Sequence, residues 1–334
     1  MEENDIFHLI DQLTPNELLT HEEREKRRND REVTIRAILL HLEKHPDAAK
    51  EKDEKDCTPL HIACGFGAPL EVVSTLLGIW PDGAKEKDCF GCTPLDTACI
   101  YDAPLDVIST LLSAWPDGAK EKDSGGGTPL HTTCRFRAPV EVVRALLSIW
   151  PDGAKEKDEK DCTPLHIACS SGAQLEVVSA LLSTWPDGGK TKDAYGRTPL
   201  HTACIFGASF EVTTLLLDMW LQDKDNKKPS GVVVLEKYAS VSTSPNSKQL
   251  LFHVSSLYSS KTDNPPPVEI MAFFLQIKLW NGIVFLLDRY PNVVKTMDLD
   301  SNIMAYFISM VGHRCKLTTM WKIICNEQDL LEGV

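Results

Sequence analysis

From Leu70 to Trp80 the chain reads "LEVVSTLLGIW", and Val72, Val73, Leu76, Leu77 and Trp80 fall on one face at helical spacing. The pattern predicts a helix with one buried stripe. Just ahead, Leu60, Ala63 and Cys64 mark one side of a shorter helix, with Thr58 as N-cap and Pro59 at the first helical position. Gly67 ends that helix, and Pro69 and Leu70 open the next. After Trp80, "PDG" stops the chain: Pro81 cannot continue a helix, and Gly83 is expected to take a left-handed turn. The following "AKEKD" alternates and reads as extended chain, closed by a tight turn at "DCFG".

The same pattern then recurs. Thr-Pro-Leu begins at Thr58, Thr93, Thr128, Thr163 and Thr198, and tryptophan stands at Trp80, Trp115, Trp150, Trp185 and Trp220, every step being 35 residues. The fifteen letters of Lys50–Cys64 return unchanged at Lys155–Cys169. A fixed period of this size marks stacked modules, each of which buries its apolar side only against its neighbours.

The order of elements resembles the ankyrin repeat, an Asp-x-x-Gly-x-Thr-Pro-Leu-His turn followed by a helix pair. The matching residues include Asp88, Gly91, Thr93, Pro94 and Leu95, then Asp193, Gly196, Thr198, Pro199, Leu200 and His201. The resemblance implies an all-α solenoid of stacked helix-turn-helix repeats with protruding turns. It also implies that His61, His131, His166 and His201 bond neighbouring backbone and brace the turns. Departures are local. The period is 35 rather than the usual 33. Asp96 replaces the motif histidine, and Asp56 and Asp161 replace the turn glycine. Arg137 stands where Gly67 stands, so a strained or differently shaped turn is expected there.

"AILLHLEKHPDAAKEKD" aligns with "TLLGIWPDGAKEKD", which makes Val33–His45 the second helix of an earlier unit. The expected organisation is a helical cap at 1–31, a partial first repeat at 32–57, five repeats at 58–222, and degenerate helical repeats or a cap at 223–334. A separate small helical domain is the alternative for the last segment. Its expected helices are Ser247–Ser259, Val268–Ile277, Gly282–Arg289, Asn302–Val311 and Lys316–Ile324.

Composition narrows the function. With a net charge of −13, the chain repels phosphate backbones, and nucleic acid is not expected as a partner. The basic run Arg24–Arg31 is interleaved with acids and reads as a solvated helix face. The opening "MEENDIFHLI" lacks the basic start and apolar run of an export signal. Ile270–Leu287 is greasy, but Lys278 and Asn281-Gly282 argue for paired helices rather than a membrane span. Eleven cysteines without an export signal imply free thiols in a reducing compartment, hence a cytoplasmic protein, with the nucleus open. Five of them lie on the 35-residue lattice and read as core filler. Cys89 and Cys92 form a lone C-x-x-C pair without the second pair that zinc wants.

Phosphate-binding, dinucleotide, zincin and nucleophile-elbow motifs are all missing. No catalytic residue, cofactor or metal is expected, and the chain is read as a non-catalytic, monomeric scaffold or adaptor. Its partner would be another protein, held on the concave face and turn tips. Because invariant positions serve the fold, the variable ones are the candidates: Phe66, Phe90, Tyr101, Arg135, Phe136, Arg137, Tyr195 and Phe206. Phe66, Tyr101, Phe136 and Phe206 form a stripe that equally suits packing against the next unit. The Trp series is assigned to packing between units, and the "AKEKD" rungs are expected to set Lys85 over Lys120 and Lys155. Two other readings stand beside the scaffold: an enzyme or regulatory subunit with its site in the C-terminal third, where His313, Arg314, Cys315 and Lys316 are the dense candidates, and a spacer with no ligand.

Overall fold

A computed structural model of the protein describes residues 5–13, 21–223, 226–228, 235, 237–239, 242–258, 264–290 and 292–293, with the backbone alone for 21–30. Among them every regular element is helical. They divide into two compact units, one of Met1–Gly188 and Lys192–Gly196, the other of Gly189–Thr191 and Arg197–Val334.

The first unit is built from helix pairs: α1 (Ile6–Asp11) with α2 (His21–Lys44), α3 (Pro59–Gly65) with α4 (Leu70–Ile79), and α5 (Pro94–Ile100) with α6 (Leu105–Ala114). The series continues with α7 (Pro129–Phe136) and α8 (Val140–Ile149), then α9 (Pro164–Ser171) and α10 (Leu175–Thr184). First helices pack on first helices, α1 on α3 through to α7 on α9, and second helices on second helices, α2 on α4 through to α8 on α10. The unit is therefore a two-layered solenoid segment. Helix α2 starts well before Val33, through a charged stretch with no apolar period.

The short first helices α3, α5, α7 and α9 each open with a threonine N-cap and proline in the first turn. Their inner side is made of small residues, with Cys64, Cys99, Cys134 and Cys169 all buried. Second helices bury Val-Val and Leu-Leu pairs, such as Val72, Val73, Leu76 and Leu77.

Two expectations fail at the end of the second helix. Pro81–Lys85 is a turn of 3₁₀ helix, so the extended reading holds only beyond it, and Gly83 is not left-handed. Glycine stands there for space. A Cβ on Gly83 would lie 3.0 Å from Cε3 of Trp80, and one on Gly118 would lie 2.9 Å from Cε3 of Trp115. The indole folds back over its own helix end. Where the earlier unit has Ala48 in place of glycine, the smaller ring of His45 replaces tryptophan.

The "AKEKD" rungs meet one residue out of step, so opposite rather than like charges pair. Lys52 bridges Glu86 at 2.8 Å, Lys87 bridges Glu121 at 2.8 Å, and Lys122 bridges Glu156 at 2.9 Å. Being partly exposed, each contributes less than about 1 kcal/mol.

The second unit contains α11 (Pro199–Phe206) and α12 (Phe210–Trp220), then α13 (Pro245–Ser256), α14 (Pro267–Gln276) and α15 (Trp280–Arg289). Helix α12 packs against α11, α13 and α15, and α14 pairs with α15. Asn281 ties α15 to α12 through three bonds to Asp218: its backbone N–H to Oδ1 at 2.7 Å and its side-chain amide to Oδ2 at 2.7 Å and to the carbonyl at 2.9 Å. The greasy stretch Ile270–Leu287 breaks at Lys278, which is left-handed (φ 57°), rather than at Asn281-Gly282. The bond from Leu279 N–H to the Phe274 carbonyl, 2.9 Å, reproduces the one from Ala208 to Ala203, 3.0 Å. The α14–α15 turn thus has the geometry of the α11–α12 turn. No helix among the described residues is long and apolar enough to cross a membrane. The expected helices Asn302–Val311 and Lys316–Ile324, and the cluster His313–Lys316, lie outside the described residues.

Candidate protein-binding face

The turns that carry the candidate residues are rigid for a reason readable in each copy. The Oδ1 atom of Asp88 accepts from the backbone N–H of Phe90 and of Cys92, both at 2.9 Å, and Asp53, Asp123 and Asp158 do the same in their own turns. Successive tips are joined by one backbone bond each: Cys89 to Lys55, Ser124 to Phe90, Glu159 to Gly125 and Ala194 to Lys160. With the backbone occupied, tip side chains project. Phe90 is 62% exposed and Tyr195 67%. Asp56 and Asp161 adopt the left-handed conformation that Gly91, Gly126 and Gly196 take elsewhere, as their short polar side chains permit.

The histidines brace the turns. Nδ1 of His61 accepts from the Thr58 N–H at 3.1 Å, so Nε2 carries the proton and donates to the Cys92 carbonyl of the next turn at 3.1 Å. His131 repeats this with Thr128 (3.1 Å) and Cys162 (3.0 Å). Burial holds both imidazoles below the ordinary histidine range, against the opposing pull of those carbonyl bonds. In the second unit His201 caps Thr198 and meets the edge of Tyr238 at 4.8 Å.

Asp96 is the exception. Its Oδ2 accepts from the Thr93 N–H at 2.9 Å and from the Thr93 hydroxyl at 2.8 Å, which preserves the cap. Its Oδ1 is buried without a partner. Burial raises this carboxyl to about 7, opposed by the two Thr93 bonds.

The variable residues of the first helices are at the surface. Tyr101 is 63% exposed and Phe136 50%, and Arg135 and Arg137 are exposed beside it, whereas Phe66 is half-buried. Arg137 is left-handed at φ 59°, the same turn shape as Gly172 at 73°, so the strain is real and the shape unchanged. The fourth copy interrupts the stripe with Ser171, whose hydroxyl donates to the Cys134 carbonyl at 2.6 Å. Phe206 belongs to the second unit, where it is 52% exposed.

One hollow among these residues was not read from the sequence. It has a volume of about 610 Å³ and is bounded by α1, the first two turn tips and the ends of α3 and α5. The signal lay in the comparison of copies: position 65 is glycine, where the others have Ile100, Arg135, Ser170 and Ile205. Cys57 and Cys92 line it, and burial, with Asp53 and Asp96 respectively adding to it, lifts their thiols to about 11 and about 12. Both stay protonated at neutral pH, which makes them poor nucleophiles. Among the described residues no three His, Cys, Asp or Glu side chains gather as metal ligands.

Comparison with known families agrees with the geometry. The model of a single ankyrin repeat matches residues 55–84, and the model of ankyrin repeats in three copies matches 116–191. No curated protein matches the chain.

Proposed function

From the premise that the chain carries ankyrin repeats, which are generally protein–protein interaction modules, we propose that it is a non-catalytic scaffold or adaptor. Its partner is a protein held on the face formed by the first helices and turn tips. Tyr101, Arg135, Phe136, Arg137, Phe90 and Tyr195 contact it, with Phe66 beside them; Phe206 offers an equivalent aromatic on the second unit. One observation carries the reading. The variable Tyr101, Arg135, Phe136 and Arg137 are exposed, while their invariant neighbours Cys99 and Cys134 are buried at 2% and 0%. Aromatic and arginine side chains in that setting are the residue types that dominate binding energy. The protein acts as a cytoplasmic monomer, with nuclear residence open.

The test is affinity capture with the wild type beside a Tyr101→Ala, Arg135→Ala, Phe136→Ala variant. The expected result is a partner lost from the variant while its melting curve stays within about 1 kcal/mol of wild type. Equal capture by both proteins, or a variant destabilised by several kcal/mol, sinks the assignment.

A further inference from the structure

We propose that the hollow over Gly65 receives an apolar side chain from a basic segment of a partner protein, an inference that rests on the binding role given above. Gly65 closes α3 and its φ is not positive, so the backbone does not require glycine there. Glycine inside a helix costs about 1 kcal/mol relative to alanine. What it provides is room. The nearest atoms to a Cβ at Gly65 would be Cγ2 of Thr97 at 3.5 Å and Cδ2 and Cε2 of Tyr101 at 3.6 and 3.7 Å, all ordinary contacts. The scaffold therefore accepts a side chain at this position, as Ile100 demonstrates one copy later, and the first copy leaves the place open.

The space is suited to an anchor. Its volume of about 610 Å³ lies within the roughly 300–1,000 Å³ typical of ligand sites. Phe7, Ile62, Phe66, Phe90, Ile100 and Tyr101 give it apolar walls. Its charge selects the flanks of the ligand. Asp11, Asp53 and Asp88 border it against a single lysine, Lys55, and exposed Glu54 and Asp56 stand on the same tip. The nearby Lys52 and Lys87 are already bridged to Glu86 and Glu121. Carboxylates around a partly enclosed apolar cleft attract lysine and arginine and repel acids. The partner segment thus carries a leucine-like residue next to basic ones. It fills the open place of the first copy with its apolar residue and leaves its flanks on the acidic tips.

The probes are short fluorescent peptides with a central leucine flanked by lysines, and two controls, leucine replaced by serine and lysines by glutamate. Anisotropy is read on the full chain at low and high salt. The lysine–leucine peptide is expected to bind, to weaken with salt, and to lose affinity about tenfold or more in each control. The protein variant Gly65→Ile should lose the peptide equally while its melting temperature holds or rises. Undiminished binding by Gly65→Ile, equal binding of the glutamate peptide, or no binding by wild type overturns the proposal. So does a change of oligomeric state in Gly65→Ile, which would mean that a second copy fills the hollow. A captured partner that is lost with Arg135→Ala and Phe136→Ala but kept by Gly65→Ile removes this inference and leaves the proposed function standing.

Discussion

The second and third copies share a backbone and differ at one joint. In the third, His131 reaches both ways, capping Thr128 and donating to the Cys162 carbonyl at 3.0 Å. In the second, Asp96 keeps the cap on Thr93 but cannot span to the next turn, and its Oδ1 is left buried and unpartnered. The cap is thus separable from the brace: the helix needs only an acceptor three residues in, and the link between modules needs a ring. The two joints also answer pH in opposite senses. Neutral buried His131 supports the fold above the ordinary histidine range and withdraws that support as pH falls, since the unfolded chain then binds the proton more readily. Asp96, raised to about 7, supports the fold while protonated and withdraws support as pH climbs from about 4 to 7.

The largest expected effect is on the intact joint. His131→Ala removes the acceptor for the Thr128 N–H and the donor to Cys162 at a site 1% exposed. A loss of about 3 kcal/mol in urea melts is expected; a loss below 1 kcal/mol would make the brace incidental. Next is Asp96→Asn, whose amide oxygen can still accept from Thr93 without a charge. Near pH 8 it should add about 2 kcal/mol, and near pH 4 almost nothing. The groups that face Asp96, namely Asp123 raising and Lys87 lowering its carboxyl, stay in place. A gain independent of pH would contradict the orphaned carboxylate as the cause. The smallest is Arg137→Gly, at the end of the third copy's first helix. Relief of the left-handed strain should stabilise by about 1 kcal/mol while partner capture weakens. If capture is unchanged, Arg137 is strained for some reason other than binding.

Much of the fold was legible because it depends on patterns the chain repeats. Thr-Pro at the cap, Leu-Leu on the second helix, and cysteine in the tight inner layer each give the same answer in every copy. The bracing role of histidine followed from the family resemblance. What escaped was set by register and shape. The one-residue offset that pairs Lys87 with Glu121 depends on how neighbours lie, which composition does not encode. Gly83 looked like a left-handed turn because tertiary crowding by Trp80 and a positive φ select the same residue. The early start of α2 rests on charged residues without periodicity. Of the site, Tyr101, Phe136 and the arginines were legible as variable positions, whereas the hollow needed α1 as a wall.

The folding of Trp80, Trp115, Trp150 and Trp185 onto the glycine of their own helix ends has an optical consequence. Each of these indoles lies against the matching glycine of its own module. The emission of these four is then a sum of near-identical signals that conceals which module opens first, with Trp220, Trp280 and Trp321 adding their own. A chain stripped to one indole would report a single module, and four such chains would read the order of opening along the array.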